Sequence, residues 1–203
     1  MRLKIKLDLE KLEIKKNSLT VLSLINKFLG NNNIYHDLKA KDYSVSMIMG
    51  GKKKDGIIYF DNDAHIFFST ENTEIITTVL NNIIGYYEFE EVKYNLRKGE
   101  NILHASNVRY HSKGKTHFIT EENKKNFEDY VKLKYDIDIK VLNVNAHIDI
   151  KYKNNSAIKS SNILFKLKVD NIEKDSKIFN LGIGGTTAQG FGFVSNVKTK
   201  ETI

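Results

Sequence analysis

Leu3, Ile5, Leu7 and Leu9 fall at every second position, with Arg2, Lys4, Lys6 and Asp8 between them, which predicts a strand with one face buried and one wet. From Ser18, a residue type that caps helices, the period changes. Val21, Leu22, Ile25, Phe28 and Leu29 recur at helical spacing until Gly30. A polar stretch from Asn31 to Asp42 follows and carries Tyr35-His36-Asp37. Strands are then predicted over 43–49, 57–60 and 64–69, the last two joined as a hairpin across Asp61-Asn62-Asp63. Ile75, Ile76, Val79, Leu80, Ile83 and Ile84 share one face of a second helix stopped by Gly85, and residues 86–95 supply another strand.

The order strand-helix-strand-strand-helix-strand is that of a ferredoxin-like or RNA-recognition-like unit, in which two helices cover one face of an antiparallel sheet and leave the other open. Residues 96–103, charged and without periodicity, read as a boundary between units at 1–98 and 103–203. The second unit begins in the same way. Val108 to His111 and Thr116 to Phe118 predict a hairpin around Ser112-Lys113-Gly114-Lys115. Thr120 is the expected cap of a helix that opens with Glu121 and Glu122 and turns Phe127, Tyr130 and Val131 inward. Strands are predicted at 142–153 and 162–169, and a short one at 177–181. A glycine-rich stretch then stands where the second helix of the unit is due, so the second unit reads as a degenerate copy of the first. The fold class is α+β, with tandem ferredoxin-like domains.

That stretch, Gly182-Ile183-Gly184-Gly185-Thr186-Thr187-Ala188-Gln189-Gly190-Phe191-Gly192, holds five of the twelve glycines in eleven positions. Its backbone must turn sharply or approach something closely. A phosphate-binding P-loop needs Lys-Ser or Lys-Thr after its last glycine, and Phe191 follows Gly190 instead. A dinucleotide fingerprint starting at Gly182 needs glycine at position 187, which is Thr187. Gln189-Gly190-Phe191-Gly192-Phe193-Val194 resembles the aromatic stacking motif of RNA-recognition domains, but that motif sits on a middle strand and only nine residues follow Val194.

Composition narrows the chemistry. Without cysteine there is no disulfide, thiolate metal site or cysteine nucleophile, and the alternating N-terminus is neither a signal peptide nor a membrane span, so a cytoplasmic protein is expected. The net charge of +7 is uneven, +1 over residues 1–100 and +6 over residues 101–203. A basic second half predicts a polyanion partner, nucleic acid before membrane. Arg2, Arg97 and Arg109 are the only arginines, which leaves little for bidentate base reading.

Two glycine-apolar-glycine triplets, Gly182-Ile183-Gly184 and Gly190-Phe191-Gly192, close to the C-terminus resemble the hallmark of the CRISPR-associated repeat-processing endoribonucleases, the Cas six family, within the wider group of repeat-associated RNA-binding proteins. The opening strand Arg2 to Leu7 is similar too. So is the segment from His36 to Ser46, which looks like the family's His-acidic-x-x-basic-aromatic-x-x-Ser pattern. Ala105-Ser106-Asn107-Val108 departs from it, with Asn107 where relatives carry proline, and Asn26 stands where some relatives carry a tyrosine.

The resemblance implies a metal-independent endoribonuclease, without cofactor, that cuts CRISPR repeat RNA in a prokaryotic cytoplasm as monomer or homodimer, with a CRISPR effector complex as a further candidate partner. It implies His36 as the general acid or base, with Lys41 supplying charge at the phosphate and Tyr35 assisting; an imidazole with a pKa of about 6.5 serves either role at neutral pH. His111, beside the basic hairpin, is an outside candidate for a second catalytic histidine. Gly182, Gly184, Gly185 and Gly190 would let the RNA backbone approach, with Thr186, Thr187 and Gln189 as donors. Lys113, Lys115, Lys52 and Lys53 are candidate phosphate contacts, although Lys52 to Lys54 read equally as a solvated tip. The alternative is a non-catalytic CRISPR-associated subunit that positions or caps guide RNA.

Overall fold

The computed structural model describes residues 1–30, 42–151 and 157–197. β1 (Arg2–Lys6) runs antiparallel to β5 (Ile57–Thr70), pairing Leu3 with Phe68 and Ile5 with Ile66. β6 (Phe89–Glu91) joins the other edge of β1, and β3 (Tyr43–Val45) the far edge of β5. The resulting order β6-β1-β5-β3 is the ferredoxin-like path. α1 (Asn17–Leu29) and α2 (Thr73–Ile83) cover one face. Their Val21, Ile25 and Phe28, with Ile75, Val79 and Ile83, are buried against Leu3, Ile5, Ile66 and Phe68. Each such side chain contributes about 1.5–3 kcal/mol of transfer free energy. Gly30 at φ +83° ends α1, and the Asn72 side chain opens α2 by accepting from the amides of Glu74 and Ile75.

The turn in this half lies elsewhere than the sequence pattern places it. β5 continues through Asp61-Asn62-Asp63 as one strand of fourteen residues, with Asn62 at φ +58° as a local irregularity. The hairpin falls instead at Asp55-Gly56, both at positive φ, which joins β4 (Met49–Lys54) to β5 with Lys54 opposite Ile57. An Asp-Gly pair of that conformation twists in the sense of the flanking strands, and this decides between the two acidic turns. Lys52 to Lys54 are therefore ladder residues and not a loop tip. β2 (Lys11–Glu13) pairs with the start of β5, and the strand expected over 86–95 shrinks to β6.

The second half repeats the path. β7 (Gly99–Ser112) begins inside the stretch read as a boundary, turns at Lys113-Gly114 into β8 (Lys115–Phe118), and is followed by α3 (Lys124–Tyr135), β9 (Ile139–Lys151) and β10 (Ala157–Val169). α4 (Ile172–Asp175), α5 (Lys177–Leu181) and β11 (Phe193–Asn196) complete it in the order β11-β7-β10-β9. The strand expected at 177–181 is thus a helix, and with α4 it occupies the place of the unit's second helix; the glycine stretch connects that helix to the last strand. Side-chain caps start α4, which leads directly into α5. The Asn171 side chain accepts from the Lys174 amide, and Asp175 Oδ2 accepts from the amides of Asp170 and Asn171. α3 starts later than expected, because Thr120 and Asn123 close a turn on each other through reciprocal side-chain bonds and leave Glu121 and Glu122 outside the helix.

The open faces of the two sheets meet. Phe67 of β5 stacks on Phe193 of β11 with ring centroids 5.3 Å apart, and Ser44 Oγ donates to the Asn180 carbonyl. Arg2, placed on the wet face by alternation, is only 4% exposed. It stands opposite Ser69 in the ladder and so points with Phe67 into the contact between the halves.

Candidate nucleic-acid interface

Glycine is required in the two triplets because they lie against each other and against β7. The Ile183 amide donates to the Gly192 carbonyl at 2.8 Å, Gly185 donates to the Arg109 carbonyl at 2.7 Å, and Gly192 to the Ser106 carbonyl at 2.8 Å. A Cβ on Gly192 would stand 2.0 Å from the Ile183 carbonyl oxygen, and one on Gly184 2.4 Å from that of Arg109. Between the glycines, the apolar positions Ile183 and Phe191 are fully buried. The Gly184 carbonyl accepts from Tyr130 Oη at 3.1 Å, Tyr135 Oη at 3.1 Å and Lys134 Nζ at 2.8 Å. Burial raises both phenols and lowers the Lys134 ammonium.

The stretch then crosses to the first half. Thr186 takes φ +61°, Thr187–Gln189 form a 3₁₀ turn, and Gly190 at φ +87° lies where a Cβ would meet Met47 Sδ at 2.9 Å. Ala188 enters the first core, and Thr187 Oγ1 donates to the Tyr43 carbonyl at 3.5 Å. Gly182, Gly184, Gly185 and Gly190 are all buried by protein, and the amide of Gly185 is already engaged.

Tyr35, His36 and Lys41 lie outside the described residues. The chain that carries them leaves α1 at Gly30 and returns at Asp42, whose carbonyl accepts from Thr70 Oγ1 at 2.5 Å. The next residue, Tyr43, is the one that Thr187 holds, seven positions beyond His36.

Two of the four candidate lysines, Lys113 and Lys53, line clefts. Lys113 and Lys115 are exposed on either side of Gly114, and Lys113 lines a cleft of about 630 Å³ with His111, His117, Asn123, Asp129 and Tyr130, between the β7–β8 hairpin and α3. Lys52 pairs with Asp61 at 3.2 Å, while Lys53 lines another cleft, of about 290 Å³, with Asn17, Met47, Ser106, Asn107 and Asn162 where the halves meet. Other histidines are held structurally: His65 Nδ1 bonds the Asp63 carbonyl at 2.6 Å, and the His117 ring lies 5.3 Å from that of Tyr110.

Arg109 and Lys134, which sequence reasoning did not single out, flank the glycine stretch. The Arg109 guanidinium sits 5.4 Å from the Phe191 ring centroid, and His111 packs where a Cβ on Gly185 would come within 2.7 Å of its ring. One signal was available, since Arg109 is one of three arginines in a chain that otherwise uses lysine.

No family model matches the chain, and no curated protein matches it by sequence. Solved structures match in shape. A CRISPR-associated protein Cas6 aligns over 98% of this chain and 99% of its own, at TM-score 0.65 and 20% identity. A RAMP protein described as binding different RNA substrates aligns over 98% of this chain and 100% of its own, at TM-score 0.74 and 18% identity. The product of a Cas6-related gene from Pyrococcus furiosus aligns over 98% and 99%, at TM-score 0.69 and 16% identity. At these identities the likeness is one of fold, and the fold of this chain is that of the Cas6 and RAMP proteins, two ferredoxin-like units in tandem.

Proposed function

We propose that the chain is a metal-independent endoribonuclease that binds and cuts CRISPR repeat RNA. A 2′-hydroxyl attacks the adjacent phosphorus, the bond to the 5′-oxygen breaks, and the products carry a 2′,3′-cyclic phosphate and a 5′-hydroxyl. His36 takes the proton from the nucleophile or gives one to the leaving oxygen, Lys41 offsets charge on the phosphorane, and Tyr35 assists. Residues 1–98 then carry the histidine segment and residues 103–203 the glycine stretch and the basic hairpin. The observation that supports this reading is the bond from Thr187 to the carbonyl of Tyr43, a member of the histidine segment, which ties that segment to the glycine stretch.

The test is cleavage of repeat RNA in EDTA by the wild type and by His36→Ala. Loss of cutting with RNA binding retained is the expected result, and undiminished cutting by the variant removes His36 from the mechanism. The competing reading, a non-catalytic subunit that positions guide RNA, is carried by Asn26 and Asn107, the two departures from the family pattern. Binding without cleavage across many repeat sequences selects it.

A further inference from the structure

The Lys134 ammonium and the His111 imidazole close on the Gly184–Gly185 peptide group, and the Arg109 backbone joins them. Lys134 reaches the Gly184 carbonyl at 2.8 Å, His111 covers Gly185, and the Arg109 backbone accepts the Gly185 amide while its guanidinium lies over Phe191. Twelve other lysines lie within ion-pair distance of a carboxylate, Lys124, Lys125, Lys132, Lys166 and Lys174 of this half among them. Arg109, His111 and Lys134 have no carboxylate partner among the described residues. Two buried donors of this region, Arg109 Nε and Thr186 Oγ1, lack any hydrogen-bond partner among the described residues. Gathering like charges and unpaired donors without an anion is unfavourable, and a bound anion relieves both costs at once.

We propose that Arg109, His111 and Lys134, with Thr186, form a binding site for a phosphate group of the RNA strand. The inference rests on the RNA-binding reading above and adds to it residues on the second half. Arginine suits the role because its fork matches two phosphate oxygens and stays charged at neutral pH. His111 makes the site responsive to protons. Its Nδ1 shares a hydrogen bond with Thr116 Oγ1 at 2.7 Å, and Nε2 is the nitrogen nearer Gly185. Burial, then the charges of Arg109, Lys134 and His117, hold its pKa below the usual imidazole value, so it is neutral in the free protein at pH 7. Lys113, Tyr130 and Asp129 line a cleft with His111, and Asp129 is held by Lys125 at 2.9 Å. A phosphate beside His111 favours the imidazolium, so binding takes up a proton there.

The experiment measures the affinity of the full chain for single-stranded repeat RNA against salt concentration and against pH from 8 to 6, for wild type, Arg109→Gln and His111→Asn. It is paired with the ring signals of His111 during titration with inorganic phosphate. Arg109→Gln is expected to bind about tenfold more weakly, with its slope of log affinity on log salt shallower by about 0.7. His111→Asn, a change at an exposed side chain, is expected to lose part of the rise in affinity towards pH 6. Wild-type affinity, salt slope and pH profile in both variants would overturn the site. If the wild type binds no RNA but phosphate shifts His111, the site stands and the RNA reading falls; if neither ligand acts, both fall.

Discussion

The Arg2 guanidinium donates from Nη1 to the Val194 carbonyl at 2.9 Å, joining residues 192 positions apart. Its Nε donates to Ser69 Oγ at 2.8 Å, Nη2 donates to the Phe179 carbonyl, and the group lies 4.4 Å from the Phe193 ring centroid. Burial lowers its pKa to about 9, which leaves it cationic at neutral pH. One side chain from the first strand therefore fixes the last helix and the last strand to the first sheet.

Replacing Arg2 by Met keeps the length and apolar stem but leaves the carbonyls of Phe179 and Val194 unpaired between the sheets. The expected loss is about 2–4 kcal/mol in urea unfolding. Arg2→Lys restores charge without the fork and should fall between the two. Equal stability of the Met variant and the wild type would refute the fastening role.

Two glycines at positive φ should respond differently to alanine. Gly114 at φ +72° faces open space, so Gly114→Ala costs only backbone strain, about 1 kcal/mol. Gly192 at φ +64° adds a clash with the Ile183 carbonyl, and Gly192→Ala should cost about 3 kcal/mol or more. Thermal melting of the two variants compares them directly.

Thr187 holds Tyr43, within the histidine segment, through a long bond that contributes little to stability. Thr187→Val should melt within about 1 kcal/mol of the wild type. Under the proposed function its cleavage rate should drop about tenfold while RNA affinity is kept, because a small misplacement of a catalytic group costs rate first. A rate equal to wild type would separate the glycine stretch from catalysis.

Stability should depend on pH in two separate windows. Burial lowers the His104 pKa in the folded state, so its neutral form is favoured there; its contribution is complete above about pH 6.5 and is lost as the pH falls from there towards the folded value. His104→Gln should flatten that window. Asp136 is the opposite type of group, held down to about 2 by Lys174 and Lys132. Its contribution is present above the ordinary value of 3.8 and is lost as the pH falls towards 2. Urea titrations from pH 8 to pH 2 resolve both.

The alternation of residues 2–7, the helical stripes ending at Gly30 and Gly85 and the hairpin at Lys113-Gly114 were legible from sequence alone, because each depends on the period of neighbouring residues and on local turn chemistry. The same local signals suggested two ferredoxin-like units, and the matching orders β6-β1-β5-β3 and β11-β7-β10-β9 agree with that reading. Where two local signals competed, packing decided. Asp61 to Asp63 resembled a turn but stayed in a strand, and residues 177–181, too short for periodicity to type, form a helix that continues from α4, itself started by the bonds of Asn171 and Asp175. The glycine triplets could be seen, yet their reason could not: they close on each other and on β7, contacts between residues far apart in the chain. For the same cause Arg2 read as a position on the wet face, and neither Arg109 nor Lys134 stood out as a site residue. Alternation assigns a side chain to a face, and only the tertiary structure determines what that face meets.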